Sequence, residues 1–296
     1  MKVDALEIFI AVVELKNFSR AAELLHVTQP SVSVTIRNLE NEFGTKLLHR
    51  SPKHVQVTEA GNMLYVHAKR IVSHYEEAKQ EIHNLLHVVT GTLRIGTSFT
   101  IGEYILPKVL TEYVKQYPLV DIQVIISNTE EVIRGLESNQ YDIGLIEGKT
   151  THSHVEVTPF MQDEMIVVAP IHHHLSGFRI IDPLMLQDQV WVLREQGSGT
   201  RTYSDVFIEE LHLKMKRFFI FSSIQGVKEA VMAGLGIALL SKWTVRKELE
   251  AGELCSLFLQ NKRTYRSFSF VQNKQDYQSK ATEMFIRKME EFVIIH

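Results

Sequence analysis

The chain has 296 residues, 45% of them hydrophobic, so it is long enough to bury the cores of two or three domains. Its net charge of -3 argues against a general polyanion binder, although a nucleic-acid site needs only one basic face. Its one cysteine, Cys255, excludes an intramolecular disulfide, and the lack of a signal-peptide pattern or an apolar run of about 18 residues predicts a cytoplasmic, non-membrane protein.

The first two predicted elements are short helices. In "DALEIFIAVVEL", Leu6, Phe9 and Val13 recur at helical spacing with acidic residues between them, which indicates an amphipathic helix. The segment "NFSRAAELLHV" predicts a second helix, with Ser19 as its N-cap and Phe18 as the apolar residue before it.

A third helix is predicted from "TQPSVSVTIRNLENEFG", and its outer face is unusual. Thr28 is a suitable N-cap, Pro30 stands in the first turn, and Gly44 ends the helix. One side carries an apolar stripe, while the other carries hydroxyls and one cation: Ser31, Ser33, Thr35 and Arg37. Short polar side chains at a helix N-terminus can approach phosphates and base edges. This order of helices is typical of a helix-turn-helix, although a plain three-helix bundle with a solvated serine-rich face would give the same pattern.

The next segment, "KLLHRSPKHVQVTEAG", favours DNA binding over the plain bundle. It predicts two short strands around "SPKH", the outline of a wing. From such a wing Arg50, Lys53 and His54 could reach the DNA backbone or the minor groove. Thr58 then begins a new helix, with Glu59 in its first turn.

Residues 1 to about 90 resemble the DNA-binding region of LysR-type transcriptional regulators. The resemblance is carried by "FSRAAELLHVTQPSVSVTIRNLENEFGTKLLHRSPKHVQVTEAG". It implies double-stranded promoter DNA as a partner and a recognition helix that presents Gln29, Pro30, Ser31, Ser33, Thr35 and Arg37. It also places Arg50 at the family's arginine before the wing.

Val34 departs from the family pattern, in which Arg, Lys or Gln is common at this position. A valine cannot form a hydrogen bond with a base edge, but it can pack against a thymine methyl group. We therefore expect a recognition sequence that is read partly through apolar contact and DNA shape.

A single long helix is predicted from Glu59 to about Val89, because this stretch has apolar residues at three-four spacing and no proline. About 30 residues would span roughly 45 Å, which one small domain cannot cover. The helix could pack against its own effector domain, but its length and stripe favour a two-helix dimer interface. The resemblance implies the same homodimer and its pairing into homotetramers, and it makes RNA polymerase a candidate partner.

The remaining sequence alternates predicted strands and helices, which indicates parallel α/β structure. The first set comprises "TLRIGTS", "GEYILPKVLTEYVKQY", "DIQVIIS", "EEVIRGLES" and "YDIGLIE". The second comprises "EMIVVAP", "QVWVL", "RTYSDVFIEELHL", "RFFIFSS", "IQGVKEAVMAGLG" and "IALLS". The chain crosses between the sets near 147–163 and returns near 257–270, which predicts two lobes with a cleft. This arrangement resembles the periplasmic-binding-protein-type effector domain of the LysR family.

The predicted fold is therefore α/β overall and has three segments. We place a winged helix-turn-helix domain at 1–58, a linker helix at 59–90 and a two-lobed effector domain at 91–296. Within the effector domain, lobe 1 comprises 91–160 and 268–296, and lobe 2 comprises 161–267.

The cleft is the expected ligand site, because ligands of open α/β sheets bind beyond the carboxyl ends of the strands. The residues at those positions are Ser98, Phe99, Thr100, Thr129 and Glu147 in lobe 1, and Ser198, Gly199, Thr200, Arg201 and Gln225 in lobe 2. In "REQGSGTRTY" the glycines allow amides to turn inward, hydroxyls add donors, and Arg201 could supply a counter-charge. This set suits a carboxylate, sulfate or phosphate, whereas an ordinary glycine-rich turn with a capped helix is the alternative.

Two segments make the resemblance more specific. The "GSGTR" loop and "VKEAVMAGLGIALLS" resemble the branch of the family that includes regulators of sulfur assimilation and of carbon fixation. The resemblance to this branch favours a small anionic metabolite as the effector.

Enzyme and metal motifs do not fit the sequence. A phosphate-binding P-loop needs a lysine after its second glycine, a dinucleotide fingerprint needs a third glycine where Thr202 stands, and Ser198 is outside a G-x-S-x-G motif. His152, His154 and the "HHH" run at 172–174 lack the spacing of a known metal site. We expect no catalytic residue, metal or cofactor. A solute-binding protein or a metabolite-binding module without a transcriptional role is the alternative, but it would not need a DNA-binding region.

Overall fold

The chain separates into two units, Met1–Val88 and Val89–His296. The computed structural model describes residues 3–50, 55–84, 89–148, 152, 154–274 and 278–295. Among these residues, no helix is both long enough and apolar enough to cross a membrane.

The first unit combines four helices with a two-stranded hairpin in its described part. Its elements are α1 (Val3–Leu15), α2 (Phe18–Leu24), α3 (Gln29–Glu42), β1 (Leu48–Arg50), β2 (Val55–Val57) and α4 (Glu59–Asn84). The strands are antiparallel, with Leu48 opposite Val57. Apolar residues of α1, α2, α3 and α4 form one core around the fully buried Phe9, Val32 and Ile36. The helix-turn-helix arrangement is therefore confirmed.

Local capping starts the second and third helices. Thr28 is the N-cap of α3, as predicted, and its side chain accepts a hydrogen bond of 3.4 Å from the Ser31 N–H. The N-cap of α2 is Asn17 rather than Ser19, because Asn17 Oδ1 accepts from the N–H groups of Ser19 (2.9 Å) and Arg20 (3.1 Å). Asparagine and serine are about equally good N-caps, so residue type alone could not decide between them.

A buried carboxylate joins α3 to the hairpin. Glu40 Oε1 accepts hydrogen bonds from the N–H groups of Leu47 (3.1 Å) and Leu48 (3.4 Å), and Oε2 lies 3.1 Å from Lys46 Nζ. Burial opposes ionisation of Glu40, but these partners outweigh it and hold its pKa below the usual value. The strand that follows α3 is thus fixed to the end of that helix.

The second unit contains the remaining strands and helices. Its first half comprises β3 (Gly91–Ser98), α5 (Phe99–Tyr104), α6 (Leu106–Gln116), β4 (Val120–Ser127), α7 (Thr129–Glu137), β5 (Ile143–Glu147) and β6 (Val155–Pro170). After a 3-10 turn at Pro183–Leu186 come β7 (Val190–Arg194), α8 (Gly199–Glu210), β8 (Arg217–Phe221), α9 (Ile224–Met232), β9 (Ala238–Ser241), α10 (Lys242–Ala251), β10 (Leu254–Leu257), β11 (Thr264–Asn273) and α11 (Lys280–Ile295).

One strand pair runs through both lobes of this unit. The long strand β6 pairs antiparallel with β11 over its first part and with β9 and β10 over its last part. The lobe-1 strands β3, β4 and β5 are parallel to one another, as are β7 and β8 in lobe 2. The predicted parallel pairing therefore holds within each lobe, whereas the two segments that cross between lobes form an antiparallel pair. Separate apolar cores lie in the two lobes, around Phe285 and around Trp191.

The predicted helix "GEYILPKVLTEYVKQY" is broken into α5 and α6. The break falls at Ile105, whose φ of -114° departs from helical geometry. Pro107 explains it, because proline has no N–H to donate to the Glu103 carbonyl and its ring would collide with that carbonyl in a continuous helix. At the second position of a new helix the same proline is well tolerated.

Candidate functional site

The outer face of α3 is exposed in the first unit. Gln29, Pro30, Ser31, Val34 and Arg37 are exposed, and Ser33 and Thr35 are half-buried. Gln29 Nε2 donates a 3.0 Å hydrogen bond to Ser33 Oγ, one turn along the same face. The side chain of Val34 is 50% exposed, which leaves an apolar group on an otherwise polar surface.

The wing residues are described only in part. The backbone of Arg50 belongs to β1, but its side chain is outside the described part of the structure. Lys53 and His54 also lie outside the described residues. Their predicted contact with DNA stays a prediction.

In the second unit, a buried guanidinium lies between the lobes. Arg266 of β11 is 1% exposed and donates from Nε to Asp163 Oδ2 at 2.7 Å. Its Nη1 donates to Glu147 Oε2 at 2.6 Å and to Thr200 Oγ1 at 3.0 Å. Its Nη2 donates to Thr100 Oγ1 at 3.0 Å. A single side chain of β11 thus binds the other crossing strand, β6, and residues of both lobes.

The Glu147 carboxylate accepts hydrogen bonds from the donors that were expected to bind a ligand anion. Its Oε1 accepts a 2.8 Å hydrogen bond from the Thr100 N–H at the start of α5. Its Oε2 accepts from the Thr200 hydroxyl at 3.2 Å, at the start of α8, and from Arg266. The position at which the sequence predicts a ligand anion is therefore held by a carboxylate of the chain itself.

The two buried carboxylates differ in their electrostatics. Burial opposes ionisation of Glu147, but Arg266 and the hydrogen bonds from Thr100 outweigh it and keep its pKa below the usual value. Burial raises the pKa of Asp163, and Arg266 together with a 2.7 Å hydrogen bond from Ser241 offsets this only in part. The two carboxylates share one guanidinium, but their pKa values move in opposite directions. Glu147 is therefore the more strongly stabilised as an anion.

Further contacts join the lobes around this network. The Arg194 guanidinium lies 4.5 Å from the centre of the Phe99 ring, a cation–π contact. The Glu130 N–H donates to the Gly197 carbonyl at 3.2 Å. In addition, Lys228 Nζ lies 5.5 Å from the Tyr104 ring. The two lobes are therefore joined directly across part of the cleft.

Two buried hydroxyls at the edge of the lobe-1 sheet have no hydrogen-bond partner among the described residues. They are Ser98 Oγ and Ser127 Oγ, at the carboxyl ends of β3 and β4, which are paired in register. Ser98 is 2% exposed and, although it stands at the N-cap position of α5, its side chain makes no capping bond. Because buried polar atoms are nearly always satisfied, these hydroxyls indicate that an additional polar group can bind here.

The structure brings only some of the predicted effector residues together. Thr100, Glu147 and Thr200 meet directly, and Thr129 Oγ1 lies 3.5 Å from the Glu147 carbonyl oxygen. Gly199 approaches the Glu147 backbone so closely that a side chain there would collide with it. Ser198 is buried at the N-cap position of α8 and makes no capping bond.

Arg201 and Gln225 have other partners, mainly carboxylates one turn along their own helices. Arg201 Nε donates to Asp205 at 2.8 Å and its Nη1 donates to the Arg194 carbonyl at 3.0 Å. Gln225 Nε2 donates to Glu229 Oε1 at 2.7 Å. The counter-charge at Thr200 comes from Arg266 rather than from Arg201.

Sequence reasoning missed Arg266, Asp163 and Ser241. The available signal was a charged residue inside an apolar strand, "MQDEMIVV" for Asp163 and "TYRSFSF" for Arg266. Both segments lay in the predicted crossing regions, but spacing alone could not show that they pair.

The predicted histidine positions contribute no metal cluster within the described residues. His152 Nδ1 lies 3.2 Å from Glu137, beside a small opening of about 210 Å³ that includes Thr129 and Tyr203. His172 and His174 are exposed, and burial lowers the pKa of the half-buried His173.

Comparison with known proteins adds sequence and fold relatives. A family model described as the LysR substrate binding domain matches residues 87–293, and one described as a bacterial regulatory helix-turn-helix protein of the lysR family matches residues 3–62. The HTH-type transcriptional regulator CysL of Bacillus subtilis is 48% identical over 97% of this chain and 96% of its own length. A probable RuBisCO transcriptional regulator of Synechocystis is 31% identical over 97% of this chain and 85% of its own. Full-length OxyR from Pseudomonas aeruginosa shares the fold, with a TM-score of 0.76 at 21% identity over 99% of this chain and 94% of that one.

The two carboxylates of the network should respond differently to neutral substitution. Glu147→Gln places an amide NH2 group against either Arg266 or the Thr100 N–H, so that two hydrogen-bond donors face each other. This variant should lower the free energy of unfolding by about 3 kcal/mol. Asp163→Asn should cost about 1 kcal/mol or less, because the Ser241 hydroxyl can turn to accept from the amide. Urea unfolding followed by tryptophan fluorescence measures both, since Trp191 and Trp243 both belong to the second unit.

The pH dependence gives a second measure of the same difference. The pKa of Glu147 is lower in the folded chain than in the unfolded chain. Its contribution to folding stability is therefore present above the unfolded pKa of about 4.3 and is lost as the pH falls through the folded pKa. The stability gap between wild type and Glu147→Gln should therefore narrow in acid. If Glu147→Gln and Asp163→Asn lowered the free energy of unfolding equally at neutral pH, this account of the network would be wrong.

Proposed function

The chain belongs to the LysR family of bacterial transcriptional regulators, and on that premise we propose that it binds promoter DNA through α3 and changes its binding when a small anionic metabolite enters the cleft of the second unit. CysL and the RuBisCO regulator fit the branch of sulfur-assimilation and carbon-fixation regulators that the sequence resembles. A regulator of bacterial promoters acts in the cytoplasm, which is the location we propose.

DNA binding is supported by the exposed face of α3. Its short polar side chains, with Arg37 at the same surface, can reach phosphates and base edges in a major groove. The opposite face is fixed in the core by Val32, Ile36 and Leu39, so the exposed face presents a rigid surface. The hairpin held by Glu40 is proposed to add the backbone contacts of Arg50, Lys53 and His54.

The long helix α4 is the proposed dimer interface. Exposed apolar side chains follow one another along it: Met63 is 64% exposed, Val66 43%, Ile71 38% and Tyr75 46%. A helix of 26 residues with such a surface is best covered by a second helix. We propose homodimers that read two half-sites and pair into tetramers, with RNA polymerase as a further partner. The functional division is that proposed from the sequence, 1–58, 59–90 and 91–296.

Anion binding in the cleft is supported by the coordination of Glu147. Thr100, Thr200 and Arg266 bind a carboxylate there, and the unsatisfied Ser98 hydroxyl lies at the same sheet edge. We propose that the effector's anionic group takes these donors in place of Glu147. Such an exchange breaks the Glu147–Thr200 bond that joins the lobes, and a ligand that favours the altered arrangement shifts the population toward it.

We propose ligand binding without catalysis. Both buried carboxylates are engaged by Arg266, which leaves neither as a free base. Among the described cleft residues, no hydroxyl is hydrogen-bonded to a histidine, as a nucleophile would need to be.

Arg37 is expected to contact phosphate or base edges. Arg37→Gln should weaken binding to the promoter of the protein's own gene about tenfold and reduce the salt dependence by about one phosphate contact. Gel shifts at several salt concentrations measure both. Arg246→Gln, an exposed change on α10 of the second unit, is the matched control. An unchanged salt slope for Arg37→Gln would remove this residue from the interface.

Val34 is expected to read thymine methyl groups. Replacing thymine by uracil across the bound site should weaken binding of the wild-type chain several-fold. It should not weaken binding of Val34→Ser further, because the polar serine side chain does not make the apolar contact with the thymine methyl group. Because Val34 is exposed, the substitution should leave the fold intact. Equal affinity of the wild type for thymine and uracil sites would contradict apolar readout.

Ser98→Ala should have opposite effects on stability and on ligand binding. Without ligand the variant should be as stable as the wild type or more stable by about 1 kcal/mol, because an unsatisfied buried hydroxyl is removed. Calorimetric titration of the full chain with small carboxylates, sulfur oxyanions and phosphates identifies a ligand, and Ser98→Ala should bind it about tenfold more weakly. Ser138→Ala, at the C-cap of α7, is the control. Unaltered affinity of Ser98→Ala would exclude this hydroxyl from the site.

A further inference from the structure

A separate cavity of about 350 Å³ opens in the second lobe. This volume is within the range of sites that bind small molecules. Its walls combine apolar and charged side chains, and they include none of the residues of the Arg266 network: Glu164, Met165, Ile166, Val167, Arg179, Ile180, Phe207, Leu239, Leu257, Phe258, Leu259, Lys262, Arg263 and Thr264.

The cavity arises where the chain leaves the edge of the sheet. Leu257 of β10 pairs with Val167, and Thr264 of β11 pairs with Met165, so two nearby positions on β6 are joined by the loop 258–263. The loop is tied to Ile181, whose N–H donates to the Phe258 carbonyl at 2.8 Å. The space between the loop and β6 is thus built by the strand register.

The floor of the cavity is apolar and reaches the lobe-2 core. Its deep residues are at most 3% exposed: Met165, Val167, Phe207, Leu239 and Leu257. At the mouth, Ile180 and Phe258 are each 58% exposed. Large apolar side chains therefore extend from the core to the surface, as a small apolar body would require.

The rim carries a surplus of positive charge. Arg179, Lys262 and Arg263 face one lining carboxylate, Glu164. Lys262 is paired with Glu210 at 2.5 Å and Glu164 with Lys242 at 3.0 Å. These six side chains comprise four cations and two carboxylates, which leaves two positive charges uncompensated. Arg179 is exposed at this rim.

We propose that this cavity binds a small amphipathic anion, with an aromatic or branched aliphatic body on the apolar floor and a carboxylate, sulfonate or phosphate at Arg179, Lys262 and Arg263. It is a second ligand site, independent of the effector site proposed in the cleft. Its lining residue Glu164 directly follows Asp163 on β6, so an occupant would contact the strand that carries the buried network.

Two dyes with the same apolar skeleton test the proposal on the full chain. Anilinonaphthalenesulfonate carries a sulfonate, and phenylnaphthylamine is its neutral counterpart. The sulfonate should bind with enhanced fluorescence and a stoichiometry of one per chain at this site. The double variant Arg179→Gln, Lys262→Gln should raise its Kd about tenfold and leave the Kd of the neutral dye within twofold. Phe258→Ser should weaken both dyes about fivefold or more.

Matched variants separate this site from the cleft. Arg246→Gln removes an exposed cation elsewhere in the same unit, and Thr200→Ala alters the cleft network; neither should change dye binding. Thermal unfolding of each variant checks its fold, which the exposed positions Arg179 and Phe258 should leave intact. The proposal is overturned if the double variant binds the sulfonate as the wild type does, if it loses both dyes equally, or if Thr200→Ala abolishes binding. Failure of the cleft effector to bind would leave these outcomes unchanged, so the two proposals fail separately.

Discussion

The arrangement of the second unit depends on satisfying one buried guanidinium. Arg266 is almost fully enclosed, and a charge in that environment is tolerated only when partners replace its lost water. Those partners come from the other crossing strand, from the end of β5 and from the first turns of α5 and α8. Without any one of these partners, an N–H group of Arg266 would be buried with no acceptor. The lobes are therefore held together by a polar constraint as well as by apolar packing.

The same constraint defines what a ligand in the cleft must do. The network contains two carboxylates and one guanidinium, so it accepts an added anion only if a carboxylate gives up its donors. Glu147 is bound to both lobes, whereas Asp163 is bound to the strand pair and to Ser241. Replacing Glu147 by the ligand's anion therefore alters the contact between the lobes and leaves the pairing of β6 with β11 in place. A ligand can shift the equilibrium only by its difference in affinity for the two arrangements.

How far the sequence predicts this protein depends on the range of each interaction. Thr28, the apolar stripe of α3 and the break at Pro107 follow from neighbours within a few residues, and only the last was overlooked. Thr100 and Thr200 were predicted because the carboxyl ends of strands meet at one edge. Arg266 and Asp163 are 103 positions apart, so their pairing depends on the antiparallel register of β6 and β11. Hydrophobic periodicity within one segment cannot predict that register. The sequence favours Arg201 as the counter-charge because Arg201 adjoins the glycine-rich loop.

The register of β6 and β11 also connects the buried Arg266 network with the cavity in lobe 2. Asp163 lies opposite Arg266, and one position along Glu164 lies opposite Tyr265. Because successive strand residues point to opposite faces, the two pairs lie on opposite faces of the strand pair, and Glu164 is also a lining residue of the cavity in lobe 2. A change in the twist of this strand pair must displace both pairs together. The two sites therefore share the strands β6 and β11, although each has its own set of ligand-binding residues.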